Sequence, residues 1–135
     1  GWSWRVDAIP DEIALGTSGL DDSPARIFVL FGEGGLFSRP RAIFYTWGAR
    51  ERRDSAWIQE TDHNAAVIVL RNGGDPLGRW VTEERDLAED FARMFGDRTP
   101  RPVSAVGILV DTDDTRGAAT ALLGQLTWRP DESPA

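Results

Sequence analysis

Short apolar runs alternate with polar turns along the chain, and most of the runs have the length and composition of β-strands. Residues 2–6 alternate apolar and polar positions, which is typical of a strand with one buried face. Residues 25–31, 65–70 and 103–110 are almost uninterrupted apolar runs, so we expect these strands to be covered on both faces, with 103–110 the most buried. Further strands are predicted at residues 42–47, around 80–81, and around 119–128, where Leu122, Leu126 and Trp128 should share one face.

One segment has helical periodicity instead. Its apolar residues recur three and four positions apart, which puts them on a single stripe of a helix: Leu87, Phe91, Met94 and Phe95. Thr82 is a suitable N-cap, and Gly96 is a typical residue for ending a helix. The pattern predicts one amphipathic helix over residues 83–95.

Six or seven strands in succession with a single helix favour a mainly β fold. Repeated βαβ units would need a helix after almost every strand. We therefore predict an antiparallel β-sandwich. It would form one domain over residues 1–130, followed by a tail at 131–135.

Charge and composition exclude several classes of function. The 135-residue chain carries a formal net charge of -7, with a pI near 4.6, which argues against binding nucleic acid or anionic lipid. All its basic side chains are arginines, so lysine nucleophiles and Schiff bases are excluded. The absence of cysteine excludes disulfides and thiolate catalysis. No apolar run is long enough to predict a transmembrane segment.

Carboxylates are densest directly after the strand predicted at 103–110. Asp111, Asp113 and Thr115 have the spacing that begins a calcium-binding EF-hand loop. The motif then fails, because Arg116 replaces the required glycine and Leu122 the required glutamate. Two interpretations remain: a calcium site formed by Asp111, Asp113 and Thr115 with other loops, or a solvated turn whose aspartates cap backbone N–H groups.

The chain has six tryptophans, an unusually high number for its length. Flat aromatic rings can stack on sugars, and they also fill the cores of sandwiches. Trp57 stands in a polar loop and is the best candidate for an exposed platform, with Tyr45, Trp47 and Asp22 as further ligand-binding candidates. The other tryptophans stand in strand-like contexts and are expected mainly in the core: Trp2, Trp4, Trp47, Trp80 and Trp128.

Asp86 and Asp90 lie one helical turn apart. Such a pair can serve general acid–base catalysis, or it can belong to a solvated face neutralised by Arg85 and Arg93. A glycan-cleaving enzyme would need two carboxylates about 5–10 Å apart across a cleft. The candidates for that role are Asp22, Asp86, Asp90, Asp111 and Asp113.

Five stretches, taken in order, resemble a family of uncharacterised bacterial proteins, the domain of unknown function 3047. Together they span nearly the whole chain. They are Trp2-x-Trp4-x-Val6, residues 20–31 with Leu20-Asp21-Asp22 and Ala25-Arg26-Ile27, Tyr45-x-Trp47, residues 84–96 with Glu84-Arg85-Asp86 and Asp90-Phe91, and Asp111 to Thr115.

This resemblance implies an exported bacterial protein, periplasmic or at the cell surface. It also implies a jelly-roll fold similar to galactose-binding domains, but no particular activity. Members of the family usually have more strand-forming sequence before the tryptophan pair. We therefore expect residues 2–6 to present an unpaired sheet edge, whose missing strands lie outside this sequence or come from a partner subunit.

Three functions are compatible with these observations. The first is a non-catalytic binding module of the bacterial cell envelope, with a carbohydrate as its ligand. The second is an accessory or structural subunit of a larger assembly, bound through the edge at residues 2–6. The third is a carboxylate-dependent enzyme acting on glycans, although no catalytic motif is complete.

Overall fold

Two β-sheets and one α-helix make up the described part of the chain. The structure is a computed structural model, and it describes residues 1–8, 23–32, 40–48, 52–72, 74–96, 102–111 and 120–127. The strands are β1 (Trp2–Ala8), β2 (Ser23–Phe31), β3 (Arg41–Trp47), β4 (Ala56–Ile58), β5 (Ala65–Arg71), β6 (Val81–Glu83), β7 (Val103–Asp111) and β8 (Thr120–Leu126). The helix is α1 (Leu87–Phe95). The mainly β composition with one helix is as predicted.

The strand order is β6-β1-β8 in the smaller sheet and β4-β5-β3-β2-β7 in the larger one. All neighbouring strands are antiparallel except β3 and β5, which run parallel. The prediction of a wholly antiparallel fold is wrong for this pair. After β3 the chain forms β4 at the outer edge of the sheet. It then turns back as β5, which lies between β3 and β4.

The first strand lies in the middle of its sheet. Trp2 is paired with Glu83 of β6 on one side and with Leu126 of β8 on the other. The prediction that residues 2–6 form an unpaired edge is therefore wrong. Strand-forming residues from later in the chain occupy both sides of β1.

Aromatic side chains join the two sheets. Every second residue of β1 points inward, so Trp2, Trp4 and Val6 are almost fully buried. The rings of Trp4 and Trp47 in β3 pack edge to face, with 5.6 Å between their centroids. The ring centroids of Trp2 and Tyr45, also in β3, lie 5.4 Å apart. Such contacts add about 0.5–1.5 kcal/mol each to the gain from burial, so they fix the smaller sheet over the larger one.

Burial differs among the strands that were expected to be covered on both faces. Residues 65–70 of β5 are all buried, as predicted, because β5 lies inside the larger sheet. In β2 only alternate residues are buried. The prediction for residues 103–110 is wrong: β7 is an edge strand, and Ile108 and Leu109 are both more than 40% exposed.

The helix begins later than predicted. Residues 81–83 form β6, because their backbone pairs with β1. Asp86 is the N-cap instead of Thr82, and its carboxylate accepts a hydrogen bond from the backbone N–H of Glu89 (3.1 Å). Gly96 ends the helix in the left-handed conformation, as predicted. No helix among the described residues is long and apolar enough to cross a bilayer.

A bulge changes the faces of β8. Leu122 is opposite Arg5, which points outward, whereas Leu126 is opposite the inward-pointing Trp2. The register shift between Trp2 and Trp4 accounts for the difference, since one extra residue moves the following side chain to the other face. The prediction that Leu122 and Leu126 share one face is wrong, and Trp128 lies outside the described residues.

Candidate functional site

A hydrogen-bonded turn carries Trp80 onto the outer face of the smaller sheet. After β5, the backbone carbonyl of Asn72 accepts a hydrogen bond from the N–H of Asp75 (3.0 Å). Gly78 then adopts a positive φ of 73° and donates its N–H to the carbonyl of Val6 (2.9 Å). This bond fastens the turn to β1, so Trp80, directly before β6, lies over the outward-pointing side chains of β1.

The ring of Trp80 is held on two sides and still half exposed. A Cβ atom on Gly124 of β8 would lie 3.1 Å from Cζ3 of the ring, so the glycine makes room for the indole. The guanidinium carbon of Arg5 lies 5.5 Å from the ring centroid, within range of a cation–π interaction. Trp80 nevertheless remains 51% exposed, the most exposed large apolar residue of the described chain.

Polar side chains surround this ring. Arg5 donates from Nη2 to Oδ2 of Asp7 (3.0 Å), and its Nε lies 2.9 Å from Oδ1 of the same carboxylate. The hydroxyl oxygens of Ser3 and Thr82 lie 3.0 Å apart. We call the five side chains the Trp80 platform: Ser3, Arg5, Asp7, Trp80 and Thr82. It combines an exposed aromatic ring, a guanidinium, a carboxylate and two hydroxyls on one sheet face.

Sequence reasoning missed this arrangement, because Trp80 was expected in the core. Two signals in the sequence were available. The alternation of Ser3, Arg5 and Asp7 with buried residues marks the outer face of β1. Gly124 interrupts an otherwise apolar strand, which is typical of a place where another group comes close. Neither signal identifies Trp80, because Trp80 and Gly124 are more than 40 residues apart in the sequence.

The ligand-binding candidates chosen from the sequence are not brought together. Trp57 lies in the edge strand β4 on the larger sheet and is partly buried. Tyr45 and Trp47 are 0% exposed and pack in the core, so a ligand at the surface does not reach them. Asp22 lies outside the described residues.

The acidic turn is described only at its beginning. Asp111 ends β7, where its backbone pairs with that of Ser23. The side chain of Asp111, and the whole of Asp113 and Thr115, lie outside what the structure describes. Within the described residues no group of three potential metal ligands occurs. The calcium site at Asp111, Asp113 and Thr115 therefore stays a prediction.

A first buried ion pair supports the helix. Asp90 of α1 is 5% exposed. Its Oδ1 accepts a hydrogen bond from Nη2 of Arg85 (2.7 Å), and its Oδ2 accepts bonds from Nε of Arg85 (3.0 Å) and from the Tyr45 hydroxyl (2.7 Å). Burial and the negative charge of Asp90 raise the pKa of Tyr45 well above its usual value. The hydrogen bond to Asp90 raises the pKa of Arg85.

A second buried cluster supports the turn that carries Trp80. Asp75 is buried, accepts the backbone N–H of Asn72 (2.9 Å) and is paired with Arg53. Arg71 lies 3.5 Å from Asp75 and 2.7 Å from the buried carboxylate of Glu83 in β6. Burial disfavours the charged form of Arg71, but Glu83 and Asp75 raise its pKa overall. The cluster fixes both ends of the segment on which Trp80 stands.

The predicted carboxylate pair on the helix has structural roles. Asp86 caps the helix, and both oxygens of Asp90 are engaged by Arg85 and Tyr45. The expectation of a solvated face is wrong for Asp90, although Arg85 neutralises it as predicted.

Comparison with known sequences gives one match. A search of curated proteins and a search of solved structures each found none. A family model described as "Protein of unknown function (DUF3047)" matches residues 1–127, which is nearly the whole chain. This match confirms the resemblance seen in the five ordered stretches, and the protein belongs to the DUF3047 family.

Proposed function

We propose that this protein is a non-catalytic binding module whose ligand is a neutral carbohydrate, held at the Trp80 platform. The observation that carries the proposal is the half-exposed indole of Trp80, fixed beside Arg5 and above Gly124. A large apolar ring kept at the surface by specific contacts is typical of a binding site, since burial would otherwise be favoured.

The chemistry around the ring suits a sugar. A pyranose presents a face of C–H groups, which can lie on an indole, and a rim of hydroxyl groups, which need hydrogen-bond partners. Arg5 has donors left after pairing with Asp7, and the carboxylate of Asp7 has further lone pairs. Ser3 and Thr82 add two hydroxyl groups. A few polar groups around one apolar surface are what fix the orientation of a small ligand.

Charge favours a neutral ligand over an acidic one. The chain has a net charge of -7, and Asp7 balances the one cation of the platform. An anionic polysaccharide would therefore be repelled at long range without gaining a free cation at the site. We infer a ligand made of neutral hexoses.

The finer fold type and the location belong to the same proposal. Two sheets that share an aromatic core support a sandwich, and within that class we propose the jelly-roll, galactose-binding-like type. A binding module for polysaccharide would act in the periplasm or at the cell surface. Fractionation of cells that produce the full-length protein tests this location.

Affinity electrophoresis through gels with neutral polysaccharides, followed by titration calorimetry, tests the proposed site. We expect retardation of the wild-type chain in at least one gel. We expect Trp80→Ala to weaken binding by at least about tenfold, which corresponds to about 1.4 kcal/mol. Circular dichroism should show an unchanged fold, because the ring lies outside the core.

Trp57→Ala is the matched control, since it removes an indole from the larger sheet. It should leave the affinity unchanged. Loss of binding in Trp57→Ala but not in Trp80→Ala would move the site to the larger sheet. No binding to any neutral polysaccharide, with intact fold, would contradict the proposed function.

A further inference from the structure

Two edge strands with unusual surfaces lie on the same side of the molecule. Among the strands that the structure describes, β7 is the last of the larger sheet and β8 is the last of the smaller one. Residues of β8 come close to β2, the strand that pairs with β7. We call this side, formed by β7 and β8, the edge side.

The edge side exposes most of the large apolar surface of the described chain. Six of the eight large apolar side chains that are exposed among the described residues belong to these two strands, at 37–42% exposure each. They are Val103, Ile108, Leu109, Leu122, Leu123 and Leu126. Ile108 and Leu123 point inward, opposite buried residues of β2 and β1, so the core is incompletely covered here.

Neither edge strand carries a charged residue along its length, apart from Asp111 at the end of β7. Residues 103–110 and 120–126 include no Asp, Glu, Lys, Arg or Pro. Edge strands usually carry such residues, because an unpaired row of backbone N–H and C=O groups otherwise pairs with another strand. In a chain with a net charge of -7, these two strands are also where a second negatively charged copy meets the least repulsion.

Symmetry and backbone geometry favour one orientation for such a pairing. A two-fold axis through the middle of β7 and perpendicular to the sheet presents the same surface on both copies and closes the assembly at two chains. The two β7 strands then run antiparallel, which is slightly more stable per residue than parallel pairing.

We propose that the protein forms a two-fold dimer in which β7 pairs antiparallel with β7 of a second copy, joining the two larger sheets into one. The dimer covers the free edge of β7 and the inward-pointing apolar residues beside it, Ile108 and Leu123. The Trp80 platform lies on the outer face of the smaller sheet, so it remains free in both copies.

Sedimentation velocity of the chain over a range of concentrations tests the dimer. We expect a species of twice the chain mass of 14.9 kDa. Ala105→Glu and Leu109→Lys each put a charge at an exposed position of β7. With the axis at Gly107, the middle of β7, residue 105 of one copy lies opposite residue 109 of the other. Each variant alone should shift to 14.9 kDa, because its charge meets an apolar partner at the pairing edge. A mixture of the two variants should recover the mass of the dimer, because the introduced carboxylate and ammonium groups then lie opposite each other.

The same two charges in the helix, introduced by Ala88→Glu and Ala88→Lys, are the matched controls, since Ala88 is exposed and lies outside β7. They should leave association unchanged. A wild-type chain that stays at 14.9 kDa at its highest soluble concentration would overturn the proposal, and so would a dimer that tolerates either charge in β7. Circular dichroism of each variant checks that it remains folded.

Discussion

The two sides of the sandwich are built by opposite means. Opposite the edge side, α1 lies beside β4 and follows β6; we call this the helix side. There, Phe91 packs on Phe31 at 5.0 Å, and Asp90 is buried with its charge paired. On the edge side, apolar side chains are more than a third exposed, and residues 103–110 and 120–126 contain no charged residue.

The two sides therefore differ in how the core at the end of the sheets is covered. A helix covers the core on one side, but its polar residues must then be buried with partners. On the other side the strands keep their own apolar residues exposed, and a second chain can cover them. The helix side therefore adds to the stability of a single chain, whereas the edge side is suited to association.

The largest effect is expected from Phe91→Ala on the helix side. Phe91 is 3% exposed and contacts Phe31 and Phe95. Its truncation leaves a cavity and should lower the free energy of unfolding by about 3–5 kcal/mol. Urea denaturation followed by circular dichroism measures this change. Phe95→Ala, at a partly buried position, should lower the free energy of unfolding by less. Equal losses for the two variants would contradict the deeper burial of Phe91.

Arg85→Met should have the next largest effect and lower the free energy of unfolding by about 3 kcal/mol. The substitution leaves the carboxylate of Asp90 buried with the Tyr45 hydroxyl as its remaining side-chain partner. Adding Asp90→Asn should recover much of the loss, because the unpaired charge is then gone. Arg93→Met, on the exposed face of the same helix, is the control and should change stability by less than about 0.5 kcal/mol. A similar loss in both single variants would contradict a specific role for the buried pair.

The sequence predicts most strands and the C-terminal end of the helix, because these depend on neighbouring residues. It misplaces features that depend on distant ones. Thr82 and Glu83 look like the N-cap and the first residue of a helix until β1 pairs with them. Residues 103–110 look buried because their composition is apolar, but composition does not reveal that β7 lies at an edge. Trp80 was missed for the same reason, since Gly124 and Arg5 reach it only through the fold.

Gly107→Ala probes the edge side at its most crowded point. A Cβ atom there would lie 2.2 Å from Cζ of Phe28, whose ring lies over the glycine. The ring must leave this position, so the substitution should cost about 1–3 kcal/mol. In a Phe28→Ala background the same substitution should cost little. A cost that persists without the ring would show that β7 needs the glycine for another reason.

Alkaline pH should act on the helix side through the single tyrosine. The folded state raises the pKa of Tyr45 above its unfolded value of about 10, so its contribution to stability is complete below pH 10 and is lost as the pH rises further. The expected loss is about 1.4 kcal/mol at pH 11. Absorbance at 295 nm should show tyrosinate appearing only as the chain unfolds. Tyr45→Phe should lack this loss, whereas ionisation of the folded protein near pH 10 would contradict the buried hydrogen bond to Asp90.

The smallest effect is expected on the edge side, from Leu123→Ala. In one chain this side chain is 39% exposed, so its truncation should cost about 1 kcal/mol or less. If β7 and β8 are covered by a second copy, the cost must grow with protein concentration, because only the dimer gains from the covered surface. Thermal unfolding at two concentrations separates these contributions, with Phe91→Ala as the variant whose cost stays constant. At every concentration Leu123→Ala could also cost as much as Phe91→Ala. That result would mean that Leu123 is covered within a single chain. The edge side and the helix side would then not differ in how they are covered.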